Sequence, residues 1–351
     1  MTDPIIVDTA SRIFADLCDP NTVNAAEEGK WPAALWNALE GSGLPLTWVP
    51  DTLGGAGADI IDGFAVMRVA GRAAAPVPLA ETLLAGWLLA EAGIAAPAGP
   101  MTLAPVHEDG EIVLGADGRL HGRARHVPHA RSARHIAVLA KEDGVPVAAL
   151  VEADGLGITP GTNLAGEPED TVSFDRAAAI AVGRVAIDPA ALVRLGAAAR
   201  AQQMAGALEH ILDLSVQQAL DRVQFGRQIA KFQAIQHNLA ALAGEVAAAG
   251  AAADAAAEAI AAHGVASDAV LADIAVAKVR VGEAASSGAA IAHQVHGAMG
   301  FTYEHSLHQS TRRLWAWREQ FGNEALWAGR LGQMVAARGA DDLWPFVTQG
   351  T

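Results

Sequence analysis

The sequence predicts a mainly α-helical protein with a small β-domain in its middle. Three observations carry that reading. Helical periodicity runs from about Asp8 to Gly93, short Val- and Ile-rich runs alternate with turn residues from about Met101 to Ala186, and long alanine-rich helical stretches return from about Pro189. Together they imply an N-terminal α-helical domain over 1–98, a middle antiparallel β-domain over 99–187 and a C-terminal four-helix bundle over 188–351.

In the first zone Trp31, Leu35, Trp36 and Leu39 recur at helical spacing and stop at Gly41 and Gly43, a helix-ending signal. The Pro/Gly stretch 49–57 reads as a loop, and periodicity resumes over Ile60–Ala75 and Leu79–Ala92. In the second zone the runs 111–114, 135–140, 145–151, 157–159 and 171–174 read as strands, with Asp-Gly pairs at 117–118 and 143–144 supplying hairpin chemistry. In the third, helices are expected over 190–220, over Phe232–His263 with Gly264 as its stop, and from a Ser267–Asp268 cap through Val270, Ile274, Ala277 and Val281. A helix of about 30 residues is about 45 Å long, the length of a bundle element.

Composition narrows the function. The chain has 351 residues, with 24 Lys+Arg against 39 Asp+Glu and a net charge of −15, which argues against phosphate-backbone binding and therefore against a nucleic-acid partner. Cys18 is the single cysteine, so neither an internal disulfide nor a Cys-rich metal site is available. Residues 1–8 lack a leader-like apolar run, and the apolar stretch 241–262 is interrupted by Glu245, Asp254 and Glu258, so neither secretion nor a membrane span is expected. The expectation is a cytoplasmic protein.

Two motifs carry chemistry. At 222–236 (RVQFGRQIAKFQAIQ) a glycine-bearing turn between two long helices offers Arg222, Arg227 and Lys231 beside a helix start. Guanidinium groups and free helix N–H groups suit a pyrophosphate, although an ordinary helix–helix corner has the same look. At 294–304 (QVHGAMGFTYE), Gly297 and Gly300 permit close backbone approach at a helix end, and Gln294 can bridge two polar groups; a glycine-terminated helix is the plain alternative.

About 70 residues apart in one bundle, the two motifs together resemble those of the acyl-CoA dehydrogenase family. Arg222, Phe225, Gly226 and Gln233 match that family's flavin-binding turn, and 294–304 matches its second flavin motif. The resemblance extends through 49–57 and 71–76 and is weakest in the middle zone. It implies an acyl-CoA dehydrogenase-like fold and α,β-dehydrogenation of an acyl-CoA thioester with FAD, in which a carboxylate removes the α-proton and the β-hydride goes to the flavin. It also implies FAD sites shared between subunits. Arg222, Gln224, Phe225, Phe232, Gln233, Gln294, Val295, His296, Gly297 and Ala298 occupy the positions by which one subunit completes its neighbour's cofactor site, with Ala298 standing where glycine is frequent.

The departures from the family pattern fall on the other half of the site. The usual base position, about twenty residues after the second motif, holds Phe321 followed by Gly322, and the alternative position on the first bundle helix holds Gly196. Neither can take a proton. The segment that would hold the flavin ring reads 101–107 (MTLAPVH), without the family's T-x-P-x-A-G-S-D-like pattern. Keeping the neighbour-facing half and losing the catalytic half resembles the small subunit of heteromeric bacterial acyl-CoA dehydrogenases, including those of steroid side-chain breakdown. A paralogous catalytic subunit in an α2β2 assembly is then the expected partner. A homo-oligomeric flavoenzyme with Glu319 or Glu324 as relocated base, and a flavin-free helical scaffold, are the alternatives.

Two clusters fit no motif. Five arginines and four histidines over Arg119–His135 suggest a solvated sheet edge or a phosphate-attracting patch. His305 and His308 could share a helix face near His293 and His296, but without a carboxylate to complete a shell no metal site is expected. Trp315, Trp317 and Trp327 read as packing residues.

Overall fold

The computed structural model describes residues 2–107 and 111–349. Asp-Pro pairs start the first two helices, α1 (Pro4–Leu17) and α2 (Pro20–Glu27): the carboxylates of Asp3 and Asp19 accept the N–H groups of Ile5 and Thr22, and each proline presets φ at the first helical residue. Then come α3 (Ala33–Gly41), α4 (Ile60–Arg72) and α5 (Leu79–Glu91).

The middle zone forms one eight-stranded sheet: β1 (Met101–Ala104), β2 (Ile112–Leu114), β3 (Arg119–Pro128), β4 (His135–Glu142), β5 (Val145–Glu152), β6 (Gly157–Thr159), β7 (Glu169–Ala178) and β8 (Ala181–Arg184). Its path is β6-β7-β3-β2-β4-β5-β8, with β1 paired to β4. Most pairings are antiparallel as expected. Two are not: β1 runs parallel to β4 from Met101↔His135 to Ala104↔Val138, and β2 meets β4 in parallel at Val113↔Lys141, which makes the sheet mixed. Strands β4 and β5 read as unbroken apolar runs because both their faces are buried. Ala137, Leu139 and Leu150 join the helical core, while Ile136, Val138, Val147 and Ala149 pack with Val172 and Phe174 on the opposite face. The basic segment is not a sheet edge, since β3 pairs with β7 on one side and β2 on the other.

Helix α6 (Pro189–Asp221) again starts on an Asp-Pro pair, with Asp188 capping Ala191. A two-residue hairpin, β9 (Val223–Gln224) and β10 (Arg227–Gln228), leads into α7 (Gln233–His263), which stops at Gly264; α8 (Leu271–His296), α9 (Leu307–Trp317), α10 (Glu324–Arg338) and α11 (Leu343–Gln349) complete the chain. Helices α6, α7 and α8 pack on one another with α10 against α8, giving four bundle elements, and α4 crosses α6. That crossing is close: a Cβ on Gly71 would lie 2.0 Å from the carbonyl oxygen of Gln203, and one on Gly206 the same distance from that of Arg68. By length and composition α7, with mean hydropathy 1.3, is apolar enough to cross a membrane. Its acids instead tie it to its neighbours: Asp254 pairs with Arg68 of α4 at 2.6 Å, and Glu245 pairs with Arg280 of α8.

Candidate functional site

The two motifs meet. Arg222, at the C-cap of α6, donates from Nη1 to the carbonyl oxygen of His296 at 3.0 Å, 74 residues further along the chain. Gly297 follows with φ 64° and ψ −147°, a conformation that suits glycine, and a Cβ there would stand 3.5 Å from Arg222 Nη1. The hairpin turns on Phe225 and Gly226, both at positive φ (52° and 75°), the signature of a tight two-residue turn. It lifts Phe225 to 93% exposure. Behind the tip, Phe232 meets Phe225 edge-on at 6.2 Å, and the guanidinium of Arg227 sits 4.1 Å above the Phe232 ring.

Most of the expected cofactor residues lie on one solvent-facing surface. Arg222, Gln224, Phe225, Gln233, Gln294 and Ala298 are exposed, and Phe232 and Gly297 are half-buried; Arg227 and Lys231 add positive charge. Helix α7 starts beside them with no side-chain cap, leaving N–H groups for an anion. Val295 and His296 differ. Val295 packs with Ala219 and Ile229, and His296 is fully buried with Nδ1 directed at the carbonyl of Ala292 (2.8 Å), so neither side chain reaches that surface. Periodicity explains it: on α8 they face inward while Gln294 faces out.

The expected base positions meet as well. Phe321 is 1% exposed, and its ring lies against Gly196, where a Cβ would be 2.3 Å from two ring carbons. Each residue thus explains the other: the ring fits because position 196 has no side chain. Phe321 and Gly322 both have positive φ (55° and 91°), and Trp327 Nε1 donates to the Phe321 carbonyl at 3.0 Å.

Around this plug runs a polar relay, buried from Glu81 to Gln320 and open to solvent at His126, that sequence reasoning did not single out. Glu81 pairs with Arg200, both fully buried; Arg200 Nε donates to Gln320 Oε1 (2.7 Å), Gln320 Nε2 donates to Glu169 Oε1 (2.8 Å), and His126 Nδ1 lies 3.4 Å from Glu169 Oε2. Lys278 Nζ donates to the carbonyls of Arg318 and Gln320 at 3.1 and 3.0 Å, holding the turn from below. Burial pushes the Lys278 ammonium down to about 7, against the pull of Glu324. Polar residues on an alanine-rich helix were the available signal.

A cavity of about 230 Å³ opens beside the plug between sheet and turn, lined by Val106, His107, His126, Pro128, Glu169, Glu319, Gln320 and Phe321. The two segments that depart from the family pattern therefore face one cleft. No hydroxyl-bearing side chain lines it, two carboxylates do, and the amide of Gln320 is committed on both sides. This lining does not fit a flavin ring. The hairpin surface, with exposed cations, a glycine cradle and a free helix start, fits the nucleotide half of FAD. Glu319 borders the cleft; Glu324 does not, because its carboxylate lies over Gly282 and pairs with Arg318 at 2.5 Å.

His305 precedes α9 rather than sharing its face with His308, and its Nδ1 accepts the Leu307 N–H at 3.1 Å. Among the described residues, no group of three or more His, Cys, Asp or Glu is arranged to hold a metal ion. Trp317 and Trp327 are buried packing residues, and Trp315 is half-buried.

Comparison with known proteins bears on the family and the fold. Residues 3–96 match the acyl-CoA dehydrogenase N-terminal domain and residues 185–333 the acyl-CoA dehydrogenase C-terminal domain. The chain is 30% identical to acyl-CoA dehydrogenase IpdE2 of Mycobacterium tuberculosis, over 89% of this chain and 92% of that protein, and 28% identical to IpdE2 of Mycolicibacterium smegmatis, over 86% and 89%. Among solved structures it resembles the steroid ACAD Tcur3481–Tcur3483 (TM-score 0.83, 25% identity, 95% of this chain and 97% of that one). It shares its fold with a chain of the ChsE4–ChsE5 complex from Mycobacterium tuberculosis (TM-score 0.86, 22% identity, 97% and 99%).

Proposed function

The chain belongs to the acyl-CoA dehydrogenase family, and we propose that within it the chain is the subunit without a base, which completes the FAD site of a paralogous catalytic partner. One observation carries this reading: an exposed nucleotide-facing surface stands in the same chain as a base position closed by Phe321 on Gly196. Arg222 and Arg227 supply charge for a pyrophosphate, Gln224, Gln233 and Gln294 supply amide groups, and Gly297 lets the backbone approach. Bound there, FAD supplies the hydride acceptor for α,β-dehydrogenation of an acyl-CoA thioester. This chain's residues bind and orient; the α-proton goes to a carboxylate of the partner.

The two-component names of the solved relatives support a heteromer, and the likeness to a steroid ACAD supports a role in steroid breakdown. The acidic surface supports a soluble cytoplasmic assembly, burying well over ~1,000 Å² per subunit pair. The test is co-purification with the longer paralogue. The complex should carry flavin absorbance and turn over acyl-CoA, and the lone chain should do neither. Turnover by the lone chain would overturn the reading and direct attention to Glu319.

A further inference from the structure

His210, His293, His296 and His308 crowd beneath the segment 297–306, which itself carries His305, and three of these five have a buried ring nitrogen without a hydrogen-bond partner: His293 Nδ1, His296 Nε2 and His308 Nε2. We infer that this cluster is a pH-sensitive latch, in which protonation of the clustered imidazoles releases the segment 297–306 and with it the nucleotide-facing surface. The release is argued from the packing and burial of these rings; its effect on the cofactor rests on the function proposed above.

One imidazole pair is in ring contact, and the rings of His293 and His308 meet aromatic side chains. His296 and His305 lie 4.6 Å apart edge to face, and His293 stacks on Phe301 at 4.2 Å and on Trp315 at 6.0 Å. His308 meets Tyr303 at 4.9 Å and directs Nδ1 at the His305 carbonyl (2.7 Å), while His293 Nε2 is 3.0 Å from Thr311 Oγ1. The surrounding charges do not favour protonation. From α6, Arg222 holds the His296 carbonyl, and His210 stands near His305 with Arg72 of α4 and Asp213, which pair with each other. Glu304 is the carboxylate inside the segment; it is exposed and, among the described residues, forms no ion pair with any of the five. Burial holds His210, His293, His296 and His305 below the ordinary histidine range, reinforced at His210 by Arg72 against the pull of Asp213 and at the other three by neighbouring imidazoles. Near neutrality these four are uncharged and the segment packs. As pH falls, a first proton must enter a buried site beside other imidazoles and a guanidinium, and opening the segment to water relieves it.

Hydrogen exchange on the full chain at about pH 7.5 and 5.5, corrected for intrinsic rates, tests this. Protection over 297–306 should fall at least about tenfold at the lower pH while the middle of α7 is unchanged. In the double variant His296→Gln, His305→Gln the fall should shrink to under about threefold; an equal fall in that variant, or none in the wild type, overturns the latch. Should the variant not fold, proton NMR of the wild-type imidazoles decides. Depressed, coupled titrations support the latch, and independent titrations near about 6.5 overturn it. FAD retention by the complex at both pH values separates the two readings. Absence of FAD at either pH refutes the subunit role and leaves the latch standing, whereas retention that ignores pH despite loss of protection overturns its coupling to the cofactor.

Discussion

The ring of Phe321 occupies the space a side chain at Gly196 would need, with a Cβ there only 2.3 Å from two of its carbons. Two positions that could each have held a carboxylate exclude one another. Gly196→Ala should therefore force the Phe321 ring from its seat against α6, at a cost of about 1–3 kcal/mol. A lower urea midpoint with an unchanged slope is the expected result, and an unchanged midpoint would mean the ring moves aside freely.

Phe321→Glu alone should not create a dehydrogenase. General acid–base catalysis is typically worth about 10²–10⁴ in rate, but a base acts only on a substrate held against an acceptor. The adjoining cleft, with Val106, Pro128, Glu169 and Glu319 in its wall, does not supply that. Anaerobic addition of a saturated acyl-CoA and FAD to the lone variant should leave the flavin spectrum unchanged; bleaching would show that one residue was the whole deficit.

Arg222→Ala should weaken FAD retention by the assembled complex. A charge-assisted hydrogen bond worth roughly 1.5–3 kcal/mol corresponds to about a 10- to 150-fold rise in the dissociation constant. The variant also frees the His296 carbonyl, so equilibrium dialysis should be paired with circular dichroism to confirm that the helices persist. An unchanged constant would make the turn purely structural.

Above about pH 10.4, where the lysine is neutral in both states, Lys278→Met should destabilise the chain by about 1–3 kcal/mol, because it strips a donor from the carbonyls of Arg318 and Gln320. The pH dependence has a definite sign. The folded chain holds Lys278 down at about 7, whereas an unfolded lysine titrates near about 10.4, so between these values the unfolded state binds more protons. The lysine's contribution is thus complete above about pH 10.4 and is lost as pH falls toward 7. Denaturant titrations of both proteins should show their gap narrowing over that window, and a widening gap would contradict the assignment.

Much of the fold was legible where one physical signal dominated. The Ser267 cap, the glycine stops and the 3.6-residue periodicity marked the helices, and the Asp-Gly turns marked the β4–β5 hairpin; the Asp-Pro starts of α1, α2 and α6 emerge from the structure. Strand β3 was not legible, because register shifts at Leu120/His121 and Ala124/Val127 break its alternation and leave Leu120, Ala124 and Val127 as its inward residues. Strand β1 was hidden for another reason: it pairs in parallel with a strand more than thirty residues away, which no local pattern encodes. At the site, motif spacing located Arg222 and Phe321. The contact between Phe321 and Gly196, and the inward turn of His296, required the helices to be placed in space.

The relay from Glu81 through Arg200, Gln320 and Glu169 to His126 crosses every structural layer: a helix of the N-terminal zone, the first bundle helix, the turn before α10 and two strands of the sheet. Its consequence is mechanical. Such groups hold only when all their partners are in place, so parting any one layer strands a charge or an amide in the others. The layers are therefore geared together and should melt in a single calorimetric transition, with no stage at which the sheet hangs loose from the helices. A torque applied to the strands by a docked companion is carried along the same spine into the helices.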